Sequence, residues 1–143
     1  MIADFTATIG KFIKQVLKPE TAAILCGEQM DSRNRVRDYY KPQFESAGVK
    51  LIYEDYASEA SQDFSAFLTK IKYDNPDVLL MDFVPPEPYV TIAKQIMELG
   101  GWGDIKVVVL PGADTAKKQP GADGWYQMTL WVPGGTYPGS VKF

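Results

Sequence analysis

Apolar residues recur along this chain in two alternating rhythms. In the stretch 63–82, DFSAFLTKIKYDNPDVLLMD, Phe64, Phe67, Leu68 and Ile71 fall at i, i+3, i+4 and i+7. That is one face of a 3.6-residue period and predicts an amphipathic helix. Asp63 stands where a carboxylate can accept an orphan amide N–H of the first turn. Asn75-Pro76 ends the helix, because the residue before a proline is pushed out of the α region. Val78 to Met81 is then an unbroken apolar run. A strand that is apolar on both faces must be covered on both, which means a parallel sheet with helices above and below.

The same unit recurs before and after. Residues 4–17 read as a helix with a stripe of Phe5, Ile9, Phe12, Ile13 and Val16, capped at Asp4 and ended by Pro19. Residues 21–26 read as the first strand and 27–32 as a polar loop. A second helix is expected over about 33–47, burying Val36, Tyr39, Tyr40, Phe44 and Ala47. Pro42 inside it predicts a kink or a late start, and Gly48 a stop. Residues 49–53 read as strand two and 54–61 as an acidic loop. After Met81 the sequence DFVPPEPYV cannot be strand, but proline suits the first turn of a helix. That helix is expected over 87–99, burying Tyr89, Ile92, Ala93 and Ile96, with Gly100-Gly101 as its stop. Residues 105–110 read as strand four, 111–124 as a long loop and 125–132 as a fifth strand at an edge; 133–143 carry no periodic signal.

Strand and helix in alternation predict one α/β domain over residues 1–143. The expected fold is a three-layer, doubly wound, mostly parallel sheet of about five strands, ordered 2-1-3-4-5. Ligands of such sheets sit beyond the carboxyl ends of the strands, near the point where the strand order reverses. That rule selects the loops 27–32, 82–87 and 111–114.

Composition removes several functions. The net charge of −3 offers no basic excess to follow a phosphate backbone, so no nucleic-acid partner is expected. The chain has no histidine, which excludes His-based acid–base chemistry and His metal sites. Cys26, the single cysteine, ends an apolar strand and reads as a buried, inert thiol. The first residues lack a basic segment followed by an apolar core, so they are no signal peptide, and no segment is long enough to span a membrane.

The candidate chemistry is sparse. The loop Gly27-Glu28-Gln29-Met30-Asp31-Ser32 fails as a phosphate loop, having one glycine and two carboxylates. It reads either as a turn capped by Asp31 or Ser32, or as a polar ligand contact. Phe83-Val84-Pro85-Pro86 reads equally as a pocket wall or a capping turn. Trp125, Tyr126 and Trp131 suit ring stacking, though packing is the commoner use. Arg33, Arg35 and Arg37 fan around a helix as a solvated face. Asp82 with Asp31 lacks the acidic pair of a phospho-acceptor site. No Ser/His/Asp set, metal spacing or distinctive acid pair is present, so no catalytic residue, metal or cofactor is expected.

The order of these pieces resembles the second lobe of a type I periplasmic binding protein, of the branched-chain amino-acid kind that serves ABC transporters. The resemblance rests on TAAILC at 21–26, FESAGVKLIYEDY at 44–56, DFSAFLTKIKYDNPDVLLM, Glu98-Leu99-Gly100 before a strand, and Gly-Ala-Asp-Gly-Trp from Gly121. It runs from about Phe5 to Pro133. It implies one of two α/β lobes joined by a hinge and closing on a ligand, so the chain looks like an excised lobe whose signal peptide lies elsewhere. It further implies a non-enzymatic, periplasmic or extracellular protein, lipid-anchored in some cases. The partners so implied are a small solute, a first lobe and a membrane permease. A sensor lobe, or a free-standing flavodoxin-like regulatory or enzymatic domain, is the alternative.

The family's ligand contacts map onto three places. The aromatic that follows the lobe's first strand corresponds to Asp31 or its neighbour Gln29. The aromatic of the loop after the third strand corresponds to Phe83, Val84 and Pro85. The carboxylate after the fourth strand falls at Gly112, with Asp114 slightly later. Because these places depart from the pattern, aliphatic amides and aromatic acids stand beside amino acids as expected ligands.

Overall fold

The computed structural model describes residues 10–110 and 113–128, with the backbone alone at 128 and 140–142. Strand β1 (Thr21–Gly27) is central. It pairs in parallel with β2 (Lys50–Ala57) on one side and β3 (Val78–Asp82) on the other. Beyond β3 lie β4 (Lys106–Val109) and β5 (Tyr126–Met128), both parallel. The order is β2-β1-β3-β4-β5-β6, so the expected 2-1-3-4-5 arrangement holds and gains an antiparallel edge strand, β6 (Ser140–Lys142). Three residues pairing at an edge leave no periodic trace, and β6 was not expected.

Each sheet face carries its own core. Helices α1 (Met30–Arg35) and α2 (Lys41–Ser46) cover one face, where Val36, Tyr40 and Phe44 pack on Ala22, Ile24, Cys26, Val78 and Leu80. Helices α3 (Ser65–Asp74) and α4 (Pro88–Glu98) cover the other, with Phe64, Leu68, Ile71, Tyr89 and Ile92 on Ala23, Leu25, Leu79 and Met81. All four residues from Val78 to Met81 are fully buried. Each such side chain contributes about 1.5–3 kcal/mol through removal from water.

Pro42 neither breaks nor delays its helix. A π-helical turn, Val36–Tyr40, joins α1 to α2 just before it. Proline can neither donate to the carbonyl four residues back nor clear it, and one wider turn accommodates the misfit. The wider turn also keeps Val36 and Tyr40 on one buried face. A second π turn, Ile13–Leu17, follows α-helical residues 10–12. There Phe12 and Ile13 are buried but Val16 is 39% exposed, so the expected stripe is only partly realised. Phe5 and Ile9 lie outside the described residues.

Strand β2 takes in residues 54–57, which sequence reasoning placed in an acidic loop. It is an edge strand, and its carboxylates find partners along its open side. Glu54 pairs with Lys41 at 2.9 Å and accepts from the Tyr56 hydroxyl at 2.7 Å. Asp63 accepts the Ser65 amide at 3.0 Å as the start of α3 requires, and Asn75 ends that helix in the left-handed region at φ 49°.

The amino ends of β1 and β3 are stitched by one residue. Asp77 accepts the backbone N–H groups of Glu20 at 2.8 Å and Thr21 at 3.2 Å, while the Thr21 hydroxyl accepts the Asp77 amide at 3.0 Å.

Candidate ligand face

The chain leaves β1 toward the α1 face and leaves β3 toward the α4 face. A crevice therefore opens between the carboxyl ends of two adjacent strands, the position at which open α/β sheets bind ligands. Its floor is a buried ion pair. Arg35 donates through Nε to Asp82 Oδ2 at 2.6 Å and through Nη2 to Oδ1 at 3.0 Å. The Tyr40 hydroxyl donates to the same carboxylate at 2.8 Å, and Arg35 Nη2 reaches the Ser32 hydroxyl at 3.2 Å. The Asp82 side chain is wholly buried and that of Arg35 is 19% exposed. The Asp82 hydrogen bond raises the Arg35 pKa further, and burial, then the Asp82 charge, raises that of the Tyr40 phenol. Burial does the same to the Cys26 thiol, which lies wholly inside.

This overturns the expectation that Arg35 lies on a solvated face. Side chains on a helix tilt toward its N-terminus, and α1 starts at the carboxyl edge, so Arg35 reaches back to the end of β3. Arg37 does sit in solvent, paired with Asp38 at 2.7 Å. Arg33 lies over the Tyr56 ring at 4.3 Å and donates to the Glu28 carbonyl.

Gln29 and Asp31 are exposed on one bank of the crevice. Gln29, rather than Asp31 or Ser32, occupies the N-cap position of α1, and no side chain caps that end. The Gln29 amide donates instead to Glu59 Oε1 at 3.3 Å. The Glu59 carboxylate lies against Gly27, where a Cβ would collide with it. The Glu59 side chain is long and can swing aside, so the contact brings the loop after β2 against the loop after β1 without requiring a glycine there.

On the other bank Phe83 does not face the crevice. It is fully buried, edge-on to Phe64 and Tyr89 at centroid distances of 5.9 and 5.7 Å. Its amide donates to the Tyr89 hydroxyl at 2.9 Å, and that hydroxyl donates to the Met81 carbonyl at 3.3 Å. An aromatic ring next to an apolar strand gains more from the core than from the rim. The exposed apolar surface of this loop is Val84, at 54%, with Pro85.

Asp114 stands apart, beyond β4, in a 3-10 turn. It pairs with Lys117 at 3.0 Å and accepts from Gln127 Nε2 at 3.3 Å. The Lys117 hydrogen bond lowers its pKa. Gly112 lies outside the described residues. Among the described residues no hydrogen bond joins the three candidate loops directly. Arg35 and Asp82 link the first two from beneath, and neither was singled out from sequence for this. The available signal was the carboxylate closing an apolar run, VLLMD, which must find a partner once buried.

Among the described residues no group of three or more His, Cys, Asp or Glu side chains gathers as a metal site, and no helix is long and apolar enough to cross a membrane. Of the concavities lined by described residues, one lies at the amino edge around Lys18, Asp77 and Lys106 and another around Trp102 and Trp125.

The periplasmic binding protein family model matches residues 3–143. The chain belongs to that family. Solved structures share its fold. A leucine-binding protein from Thermotoga maritima aligns over 92% of this chain and 37% of its own, with 21% identity and a TM-score of 0.73. A Rhodopseudomonas palustris solute-binding protein of an ABC transporter, in complex with 3,4-dihydroxybenzoic acid, aligns over 88% and 35% with 24% identity and a TM-score of 0.74. The branched-chain amino-acid transporter substrate-binding protein of Streptococcus pneumoniae, in complex with isoleucine, aligns over 89% and 36% with 16% identity and a TM-score of 0.72. The chain thus spans little more than a third of their length. Comparison with curated proteins finds no match.

Proposed function

We propose that this chain is the second lobe of a solute-binding protein serving an ABC transporter, without enzymatic activity of its own. The observation that carries the reading is the family match over nearly the whole chain, coupled to the candidate ligand face at the carboxyl edge. A first lobe closing on that face supplies the opposing wall, and hinge closure is how two-lobed proteins of this architecture enclose small molecules. The contacts we assign to this lobe are Gln29 and Asp31 on one bank, Val84 and Pro85 on the other, and Asp114 beyond β4, together with Gly112, which lies outside the described residues. Phe83 supports the second bank from below. The solute is a small organic acid, of the amino-acid or aromatic kind bound by the structural neighbours. The compartment is periplasmic or extracellular, with a signal peptide or lipid anchor carried outside this segment, and the membrane partner is a permease.

The test is a thermal-shift panel of amino acids, aromatic acids and aliphatic amides on the two-lobed protein, since a ligand that binds only the folded state raises its stability. A concentration-dependent rise with one class is expected. Half a cleft leaves a ligand wet on one side, whereas formed pockets bury roughly 70–90% of it. Calorimetry on this chain alone should therefore show weak binding, and micromolar or tighter binding would overturn the half-cleft reading.

A further inference from the structure

We propose that Arg35 is a specificity-determining residue of this lobe, a preorganised guanidinium that receives the carboxylate of the solute at the floor of the crevice. The proposal rests on the solute-binding reading and narrows it to anionic or zwitterionic acids.

Three observations carry it. The first is position. The Arg35–Asp82 pair sits where the strand order reverses, between the ends of β1 and β3, with one partner from each side of the crevice. The second is the free edge. Arg35 uses Nε and Nη2 for Asp82 and Ser32, and Nη1 has no partner among the described residues. The Arg35 side chain keeps 19% of its surface exposed, whereas that of Asp82 is wholly buried. The third is energetic. A buried ion pair is seldom more stable than an apolar pair of the same volume, so its presence is weak evidence for a purely stabilising role. What this pair does supply is a fixed arginine. The Asp82 fork and the Ser32 hydroxyl hold the guanidinium in one geometry, so its ordering entropy is lost on folding and not on binding. The donors left over are the two N–H groups of Nη1, which diverge, so a solute carboxylate would take one charge-assisted hydrogen bond from it rather than a paired fork.

The acidic rim sharpens the class. Glu28, Asp31 and Glu59 surround the first bank. They repel a dianion and favour a solute whose second end is a cation or a hydrogen-bond donor.

The experiment is a side-chain and backbone NMR titration of this chain with benzoate and, in parallel, benzamide, which keeps the ring and removes the charge. Arg33 and Arg37 serve as internal controls. The Arg35 Nε–H signal is expected to move saturably with benzoate, with benzoate bound about tenfold tighter than benzamide, since hydrogen bonds to charged groups are the strong ones. The double variant Arg35→Met/Asp82→Asn removes both charges and leaves none buried alone. Followed through the amides of residues 28–32 and 83–87, it should bind acid and amide equally. Asp82→Asn alone retains the guanidinium and should keep the preference for the acid. Spectra with native dispersion establish that each variant is folded. If Arg33 and Arg37 move as much as Arg35, or the double variant keeps the acid preference, the assignment is overturned while solute binding at this face stands. If neither probe moves any amide of the two loops, the assignment falls, while the solute-binding reading, which expects weak binding by one lobe, is decided by the thermal-shift panel on the two-lobed protein.

Discussion

Strand β3 has a carboxylate at each end, and the two are of opposite character: Asp77 ties it to β1, and Asp82 ties it to helix α1 and the π turn that follows. At the amino edge the exposed Asp77 accepts two backbone N–H groups and returns one through Thr21. Water covers what the protein leaves open, so this tie is a modest, local stitch. At the carboxyl edge Asp82 is wholly buried, and its carboxylate accepts hydrogen bonds from Arg35 and Tyr40. Taking a carboxylate out of water costs several kcal/mol, recovered only when its partners are well placed. The amino edge holds the sheet together cheaply; the carboxyl edge spends stability at the place where this fold binds ligands.

The comparison can be broken by mutation. The largest effect belongs to Phe83→Ala. Urea unfolding should show a loss of about 3–5 kcal/mol, because a fully buried ring between Phe64 and Tyr89 is replaced by a cavity. A near-neutral result would place the ring on the surface, where sequence reasoning had it.

Arg35→Ala should cost about 3 kcal/mol, the low end for breaking a buried ion pair because the guanidinium retains some exposure. The solvated-face reading expects no change. Asp77→Ala should cost less, about 1–2 kcal/mol, since the amides it releases can turn to water. If the two edges are independent, the double variant Arg35→Ala/Asp77→Ala should be additive within roughly 0.5 kcal/mol.

The smallest effect is a titration. Asp114 is held below the ordinary carboxylate range by Lys117. A depressed folded-state pKa gives stability that is present above the unfolded value of 3.8 and is lost as pH falls through the folded one. Lys117→Ala should move the Asp114 midpoint upward in a carboxyl-detected NMR titration. Because Asp114 is largely exposed, stability should barely change.

Hydrophobic periodicity by itself marked strands β1 to β5 and the helices between them, because burial on one face or two leaves a direct imprint on residue spacing, and their alternation pointed to the parallel sheet. Asn75-Pro76 and Gly100-Gly101 marked helix ends through backbone geometry that no distant residue alters. The resemblance to one lobe of a binding protein was legible for the same reason, since it lies in the order of such elements. Tertiary structure alone decided the rest. Residues 54–57 became strand because β1 offered an edge to pair with, a partner no local pattern announces. Pro42 was absorbed because one π turn before it kept Val36 and Tyr40 on the core. Phe83 went inside because Phe64 and Tyr89, which no local spacing links to it, left a space of its shape. Arg35 was read as solvated because Arg33, Arg35 and Arg37 fan around the helix with Asp38 and Glu45 close by in the chain. Its partner Asp82 lies 47 residues away and meets it only when helix α1 packs across the end of β3. Periodicity records how often a side chain faces inward; which charge it meets there depends on contacts that only the assembled sheet creates.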